Sequence, residues 1–433
     1  MRRIDRGFVA LLLTAPPLAA QLPRALPEAA GMSAARLGRI RPALDSAVAR
    51  GEVTGILTMV ARNGKLVEAD SAGFADRESR APMRTTTLFR LASMTKAVTS
   101  VAAMVLVEDG KLLLSDPVSR YLPAFREMRV AVVSGPDSAP SVRYEPARRQ
   151  ITIRDLLTHR SGLAYRFLDH GPVGEAYKAA GITDGVSTQD LHTIAENLDR
   201  VARQPLLFQP GSDWAYGLSV DVLGRVVEIV SGKSLDEFMR ERIFSPLKMP
   251  DTFFWVPDDK LGRLVVPYMP DSAGHLVPMP SEFQSFDHDR LVLAGKTARG
   301  SRTFFSGGAG LVGTAGDYLR FLQMLDNGGQ LDGVRILGKK TVELMTASHT
   351  GDLNAPLGPG NGFGLGFAIL DDPGTAGEFG SPGTYSWGGI YGTQYWVDPK
   401  EHLVGLLMIQ QFPNEELRIR GIFRTLAYQA ITR

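Results

Sequence analysis

The chain has 433 residues, 44% of them hydrophobic and 22% charged, enough to bury a large core. Its 48 basic and 46 acidic residues leave a formal net charge of +2 with no long runs of one sign, which argues against a nucleic-acid partner. It contains no cysteine, so disulfides, thiolate metal sites and a cysteine nucleophile are excluded.

At the N-terminus, Arg2, Arg3 and Arg6 precede an apolar run from Gly7 to Ala20, with Ala19-Ala20-Gln21 as the cleavage point, the pattern of a signal peptide over residues 1–20. The expected location is therefore periplasmic or secreted; a cytoplasmic location follows if the segment is only an N-terminal extension. No later segment has the roughly eighteen apolar residues of a membrane-spanning helix. After Pro23 and Pro27, the stretch Ser33 to Ala49 reads as an amphipathic helix with Leu37, Ile40, Leu44 and Val48 on one face. Ile56–Ala61 and Lys65–Ala69, separated by Arg62-Asn63-Gly64, read as a hairpin.

Phe89 to Gly110 follows, and from Ala97 to Val107 only Thr99 and Ser100 are polar, as in a helix enclosed on all sides. Asp109-Gly110 supplies its stop. At its mouth stands Ser93-Met94-Thr95-Lys96, a Ser-x-x-Lys motif whose spacing puts both side chains on one helix face. A serine hydroxyl becomes a good nucleophile when a neighbouring base removes its proton, and a lysine serves as that base when near-burial favours the neutral amine. The free N–H groups of a first helical turn favour the anion that forms on attack at a carbonyl. Taken alone, the same four residues are also those of an ordinary helix start with an exposed lysine.

Farther on, Ser115-Asp116-Pro117 starts a short helix, and Met128 to Thr152 has strand-like ends around a Ser-, Pro- and Gly-rich loop. Helical patterns recur at Leu191–Val201, Val220–Ser231 and Leu235–Ile243. Strands return at Tyr385–Trp387, Thr393–Val397 and Leu403–Gln410, before a last helix from about Asn414 to Thr432. The expected fold class is α+β: an antiparallel sheet flanked by helices, about 32–114 and 300–433, with an inserted mostly helical lobe, about 115–299, all within one domain spanning 28–433.

With Ser93 and Lys96 placed, further markers appear in order: Ile151-Thr152-Ile153-Arg154-Asp155-Leu156-Leu157-Thr158-His159-Arg160-Ser161-Gly162-Leu163, Trp214-Ala215-Tyr216-Gly217-Leu218, Phe305 to Gly316, and Trp387-Gly388-Gly389. Together they resemble the serine β-lactamase and penicillin-binding-protein superfamily, most closely its esterase branch, the family VIII carboxylesterases, over most of residues 32–433. The resemblance implies that Tyr216 is the second catalytic element, joining Lys96 as a base/acid pair for Ser93 without fixing which of the two is the base. It implies that Trp387, Gly388 and Gly389 line the substrate in place of a Lys-Thr-Gly strand, and that the N–H groups of Ser93 and Ile390 form the oxyanion hole. Leu218 stands where β-lactamases have asparagine. Hydrolysis of short-chain carboxylic esters is the expected activity. Action on β-lactams or D-amino-acid peptides, transfer to an alcohol, and a sensor acylated once without turnover are the alternatives.

Other motifs carry less. Gly308-Ala309-Gly310-Leu311-Val312-Gly313 spells a dinucleotide fingerprint but lacks a preceding strand, and Gly232-Lys233-Ser234 lacks the first glycine of a phosphate loop. There is no Gly-x-Ser-x-Gly elbow. The seven histidines are dispersed, and His159 and His288, although near acidic residues, have no ligand spacing, so neither a metal nor a cofactor is expected.

Overall fold

Asn63 and Gly64 both take left-handed backbone, with φ of 52° and 73°, as the tight hairpin turn that matches strand twist requires. They join β1 (Gly55–Arg62) to β2 (Lys65–Asp76). In this computed structural model, which describes residues 21–135, 141–186, 192–280, 283–288, 291–351, 353, 357–414 and 417–433, the hairpin lies in an eight-stranded sheet. Residues 1–20, expected to be a signal peptide, and Leu191 at the start of one expected helix, fall outside the described residues.

The other strands of the sheet are β3 (Ala81–Pro82), β4 (Asn361–Phe363), β5 (Ala368–Leu370), β6 (Thr384–Gly388), β7 (Gln394–Asp398) and β8 (Leu403–Met408). Their order is β4-β5-β6-β7-β8-β1-β2-β3, and every pairing is antiparallel. The N-terminal hairpin and the C-terminal meander thus meet at β1 and β8, where Leu57 lies opposite Met408 and Ala61 opposite Val404.

All eight residues of β1 are buried because both faces of the sheet are covered. Leu57, Met59 and Ala61 face the large core with Val404, Leu406 and Met408. Ile56 and Val60 face the other way, with Trp396 and Leu407, onto the helices α1 (Ile40–Ala49) and α5 (Arg418–Tyr428). On the large-core side lie α2 (Thr95–Glu108), α3 (Ser219–Ser231) and α4 (Ala315–Asp326). The α+β arrangement is as expected, and the one continuous apolar cluster takes in helices of the middle segment, such as Ile153–Leu157 and Leu235–Met239.

Some boundaries differ from the sequence reading. The first helix is broken into Ala34–Leu37 and Ile40–Ala49, because Pro42 has no N–H to return to the Gly38 carbonyl. The last helix starts at Arg418, since the Asn414 amide is spent on the carbonyls of Ile390 and Gln411. β4 and β5 were not expected. Each is three residues long in a glycine-rich stretch, too short to show an alternating pattern.

A carboxyl is buried in the sheet. Glu68 on β2 is 8% exposed; its Oε1 accepts from Thr58 Oγ1 at 3.1 Å, and Oε2 has no protein partner. Burial, and then the neighbouring Asp70 carboxylate, push its carboxyl well above the usual carboxylate range. A raised carboxyl favours the fold below its ordinary range, and that contribution is lost as pH climbs through the raised value. Glu68→Gln is therefore expected to raise the Tm relative to wild type at pH 8, with the gain vanishing near pH 4. Thermal unfolding at both pH values checks this, and a loss that is larger at pH 8 than at pH 4 would contradict it.

Candidate active site

The strand Leu88–Arg90 delivers the chain to Ser93. It pairs with Val312–Thr314, and the buried Arg90 guanidinium anchors it by donating to the carbonyls of Val265, Gly295 and Ala298 at 2.9, 2.9 and 2.6 Å. Ala92 then takes a left-handed φ of 45°, unusual for a residue with a Cβ, and turns the chain sharply into a 3₁₀ turn, Ala92–Met94, that runs directly into α2. Ser93 sits half-exposed at that corner. The helix behind it is enclosed from Thr95 to Leu106, as its apolar pattern predicts. Its few hydroxyls grip a glycine-rich loop: Thr95 Oγ1 accepts from Leu311 N at 3.1 Å and Thr99 Oγ1 donates to the Gly307 carbonyl at 2.7 Å.

Lys96 is 1% exposed. Its Nζ lies 3.2 Å from Ser93 Oγ, 3.1 Å from the Tyr165 hydroxyl and 2.9 Å from the Gly308 carbonyl oxygen. A neutral amine fits these neighbours by accepting from Ser93 and donating to the other two; an ammonium fits them by donating to all three. The arrangement therefore serves the lysine before and after it takes a proton.

Tyr216 is also beside Lys96, but through its ring, whose centroid is 4.5 Å from Nζ, a cation–π distance. Its hydroxyl instead accepts the Trp387 indole N–H at 3.2 Å. The direct phenol–amine hydrogen bond expected from Tyr216 is made by Tyr165. Aromatic rings close the site on this side: Trp214 and Trp387 flank Tyr216, and Phe363 lies edge-on to both indoles. His159 is fully buried among them, 4.9 Å from Tyr216 between centroids, with no partner on either ring nitrogen. Burial and then the nearby Lys96 hold its pKa well below the usual histidine range, so it is a neutral ring of the wall.

Trp387 and Gly388 end β6, and Ile390 follows in the loop to β7. A Cβ on Gly389 would lie 2.4 Å from Thr393 Oγ1 and 2.5 Å from the Leu91 carbonyl oxygen, so glycine is what lets this strand end close onto the Ser93 corner. Asn414 Nδ2 fixes the Ile390 carbonyl at 2.6 Å. Leu218 is fully buried in the large core, so no polar side chain faces the site from that position.

The roles of Gly308, Ser306 and Asp221 escaped the sequence reading, which offers Tyr165 only as a substitute base for Tyr216, beside Tyr385 and Tyr391. Tyr165 lies two residues past the Ile151–Leu163 marker, and nothing in its neighbourhood marks it as polar-facing. Gly308 carries a signal of another kind, since the loop read as a dinucleotide fingerprint turns out to supply a carbonyl to Lys96. Its N–H lies 3.3 Å from Asp221 Oδ1, and a Cβ there would fall 2.4 Å from Asp221 Oδ2 and 3.0 Å from the Tyr165 hydroxyl. Among the described residues no group of three or more His, Cys, Asp or Glu could hold a metal ion, and no helix is long and apolar enough to cross a membrane.

An antiparallel sheet flanked by helices, with Ser-x-x-Lys at the start of a buried helix and a Trp-Gly-Gly strand end facing it, defines a protein of the serine β-lactamase type. The chain belongs to the beta-lactamase family, whose sequence model matches residues 40–429. Esterase EstB of Burkholderia gladioli is 37% identical over 394 residues, 88% of this chain and 92% of the esterase. The solved structure of EstCE1, a hydrolase with promiscuous acyltransferase activity, is similar with a TM-score of 0.78 and 32% identity, over 91% of this chain and 99% of that one. Unliganded simvastatin synthase LovD from Aspergillus terreus has a TM-score of 0.72 at 27% identity, over 92% of this chain and 98% of that one.

The crowding at Gly308 gives a direct test of the loop's part in this geometry. Gly308→Ala should keep the fold yet lower kcat/KM for p-nitrophenyl butyrate by about 100-fold, the effect of displacing a catalytic group by roughly 1 Å. Circular dichroism and steady-state kinetics check it; activity near wild type would contradict the close packing around Lys96.

Proposed function

We propose that the protein is a serine carboxylesterase acting on small carboxylic esters through an acyl-enzyme on Ser93. The observation that carries this reading is the buried Lys96 Nζ 3.2 Å from a half-exposed Ser93 Oγ. EstB and EstCE1 support it, being named as an esterase and a hydrolase.

In this reading Lys96 takes the Ser93 proton as Oγ bonds to the ester carbonyl carbon. The carbonyl oxygen becomes an anion, which the N–H groups of Ser93 and Ile390 stabilise. The C–O bond to the alcohol then breaks, and the alcohol leaves with a proton from the Lys96–Tyr216 pair. Water attacks the Ser93 ester by the same sequence and releases the acid. The aromatic wall of Trp387, Tyr216, Trp214 and Phe363 suits an apolar acyl or aryl group. EstCE1, described as having promiscuous acyltransferase activity, supports an alcohol as a second acceptor for the acyl group. Export through residues 1–20 belongs to the same reading, on the basic and apolar pattern of that segment.

Ser93→Ala should lower kcat by roughly a million-fold while leaving the Tm near wild type, because a small residue replaces the nucleophile at a helix corner. Turnover of p-nitrophenyl esters with labelling by a fluorophosphonate tests this, and labelling of the alanine variant at the wild-type rate would overturn the assignment. Leu218 and Trp387 offer neither the amide nor the ammonium that would hold a β-lactam's polar groups. The expected kcat/KM for a short p-nitrophenyl ester therefore exceeds that for nitrocefin by at least ~100-fold. Equal values would favour the β-lactamase alternative.

A further inference from the structure

Asp221, on the first turn of α3, is 1% exposed and meets the Lys96 cradle at Gly308. Its Oδ1 accepts from Ser306 Oγ at 2.5 Å and from Gly308 N at 3.3 Å, while Oδ2 has no protein donor. Gly308 is thus touched from both sides, its N–H by Asp221 and its carbonyl by Lys96. We propose that Asp221 is a positioning residue for the reaction: a buried counter-charge that stabilises the ammonium Lys96 becomes on taking the Ser93 proton, and that fixes the Gly308 carbonyl against it. The proposal rests on the reading of Ser93 and Lys96 given above.

The surroundings leave Asp221 as the counter-charge. Among the described residues, the titratable groups facing Lys96 are Ser93 on the turn before it, His159 and Tyr165 from the 158–167 segment, Tyr216 ahead of α3, and Asp221. His159 is held neutral, and burial, then Asp221, push the Tyr165 phenol well above its usual range, so it stays protonated. Beyond these, Asp184 is paired with Arg166 at 2.8 Å, but burial, with Asp221 adding to it, pushes its carboxyl up to about 7. Burial pushes the Asp221 carboxyl up, whereas the Ser306 hydroxyl, Lys96 and the Gly308 N–H act in the opposite direction. A buried ammonium surrounded only by neutral acceptors is strongly unfavourable, and a carboxylate beyond Gly308 reduces that cost. The proton balance is simple: the proton leaves Ser93 for Lys96 and is passed to the departing alcohol, while Asp221 exchanges none.

Asp221→Asn keeps the shape and removes the charge. With p-nitrophenyl butyrate as substrate, the acid limb of the kcat/KM–pH profile should move down by about one unit or more, the effect of losing an opposite charge at short range. The plateau should fall about tenfold, the rate equivalent of one unit of base strength. Ser306→Ala, which removes the hydroxyl that favours the ionised carboxylate, should move the limb the same way by less. It also supplies the test if Asp221→Asn fails to fold. An unmoved limb in both variants, with activity falling only in step with Tm, would reduce Asp221 to a structural role and overturn the proposal. Ser93→Ala in the same assay separates the two levels: if it is inactive while the limbs stay put, only the counter-charge role falls, and if it remains active, both readings fall.

Discussion

Lys96 is the constraint on which the rest of the structure depends. Enclosing an amine that must carry a charge during the reaction costs several kcal/mol even after relaxation. The same helix buries Val98, Val101, Met104, Val105 and Leu106 completely or nearly so, each contributing about 1.5–3 kcal/mol. Apolar burial therefore outweighs the lysine, which is held where the helix places it, within reach of Ser93, Tyr165 and Gly308.

The groups of the site come from separate parts of the chain. Ser93 is set by the anchored Arg90 strand and the left-handed Ala92; Gly308 is set by Thr95 and Thr99 gripping its loop; Trp387 and Ile390 are set by the meander that pairs β8 with β1. The close approach at Gly389 joins the first and the last of these, since any side chain there would strike the Leu91 carbonyl. The sheet is thus the frame that brings the two ends of the chain to one site, and the middle segment supplies Tyr165 and Tyr216 from loops and Asp221 from α3.

Local patterns in the sequence carried the sheet hairpin, the enclosed helix, the terminal meander and the Ser93–Lys96 pair, because each has a periodicity or turn signature within a few residues. Tyr216 and the Trp387-Gly388-Gly389 strand were legible by resemblance, but the orientation of the Tyr216 hydroxyl was not. It depends on the Trp387 indole 171 positions away. Tyr165 and Asp221 carry no local signature of their role, since an aromatic in a loop and an acid in a first helical turn are ordinary features until packing sets them beside Lys96. The break at Gly38-Arg39 was foretold by Pro42 and passed over in favour of the apolar spacing.

The central claim is that a covalent acyl group forms on Ser93. Mixing the wild-type protein with p-nitrophenyl butyrate, quenching in acid within the first turnovers and mapping the peptides by mass spectrometry measures it directly. The account predicts a butyryl mass on Ser93 in the peptide that carries it; a butyryl group on another residue, or none while p-nitrophenol is released in a burst, would contradict it.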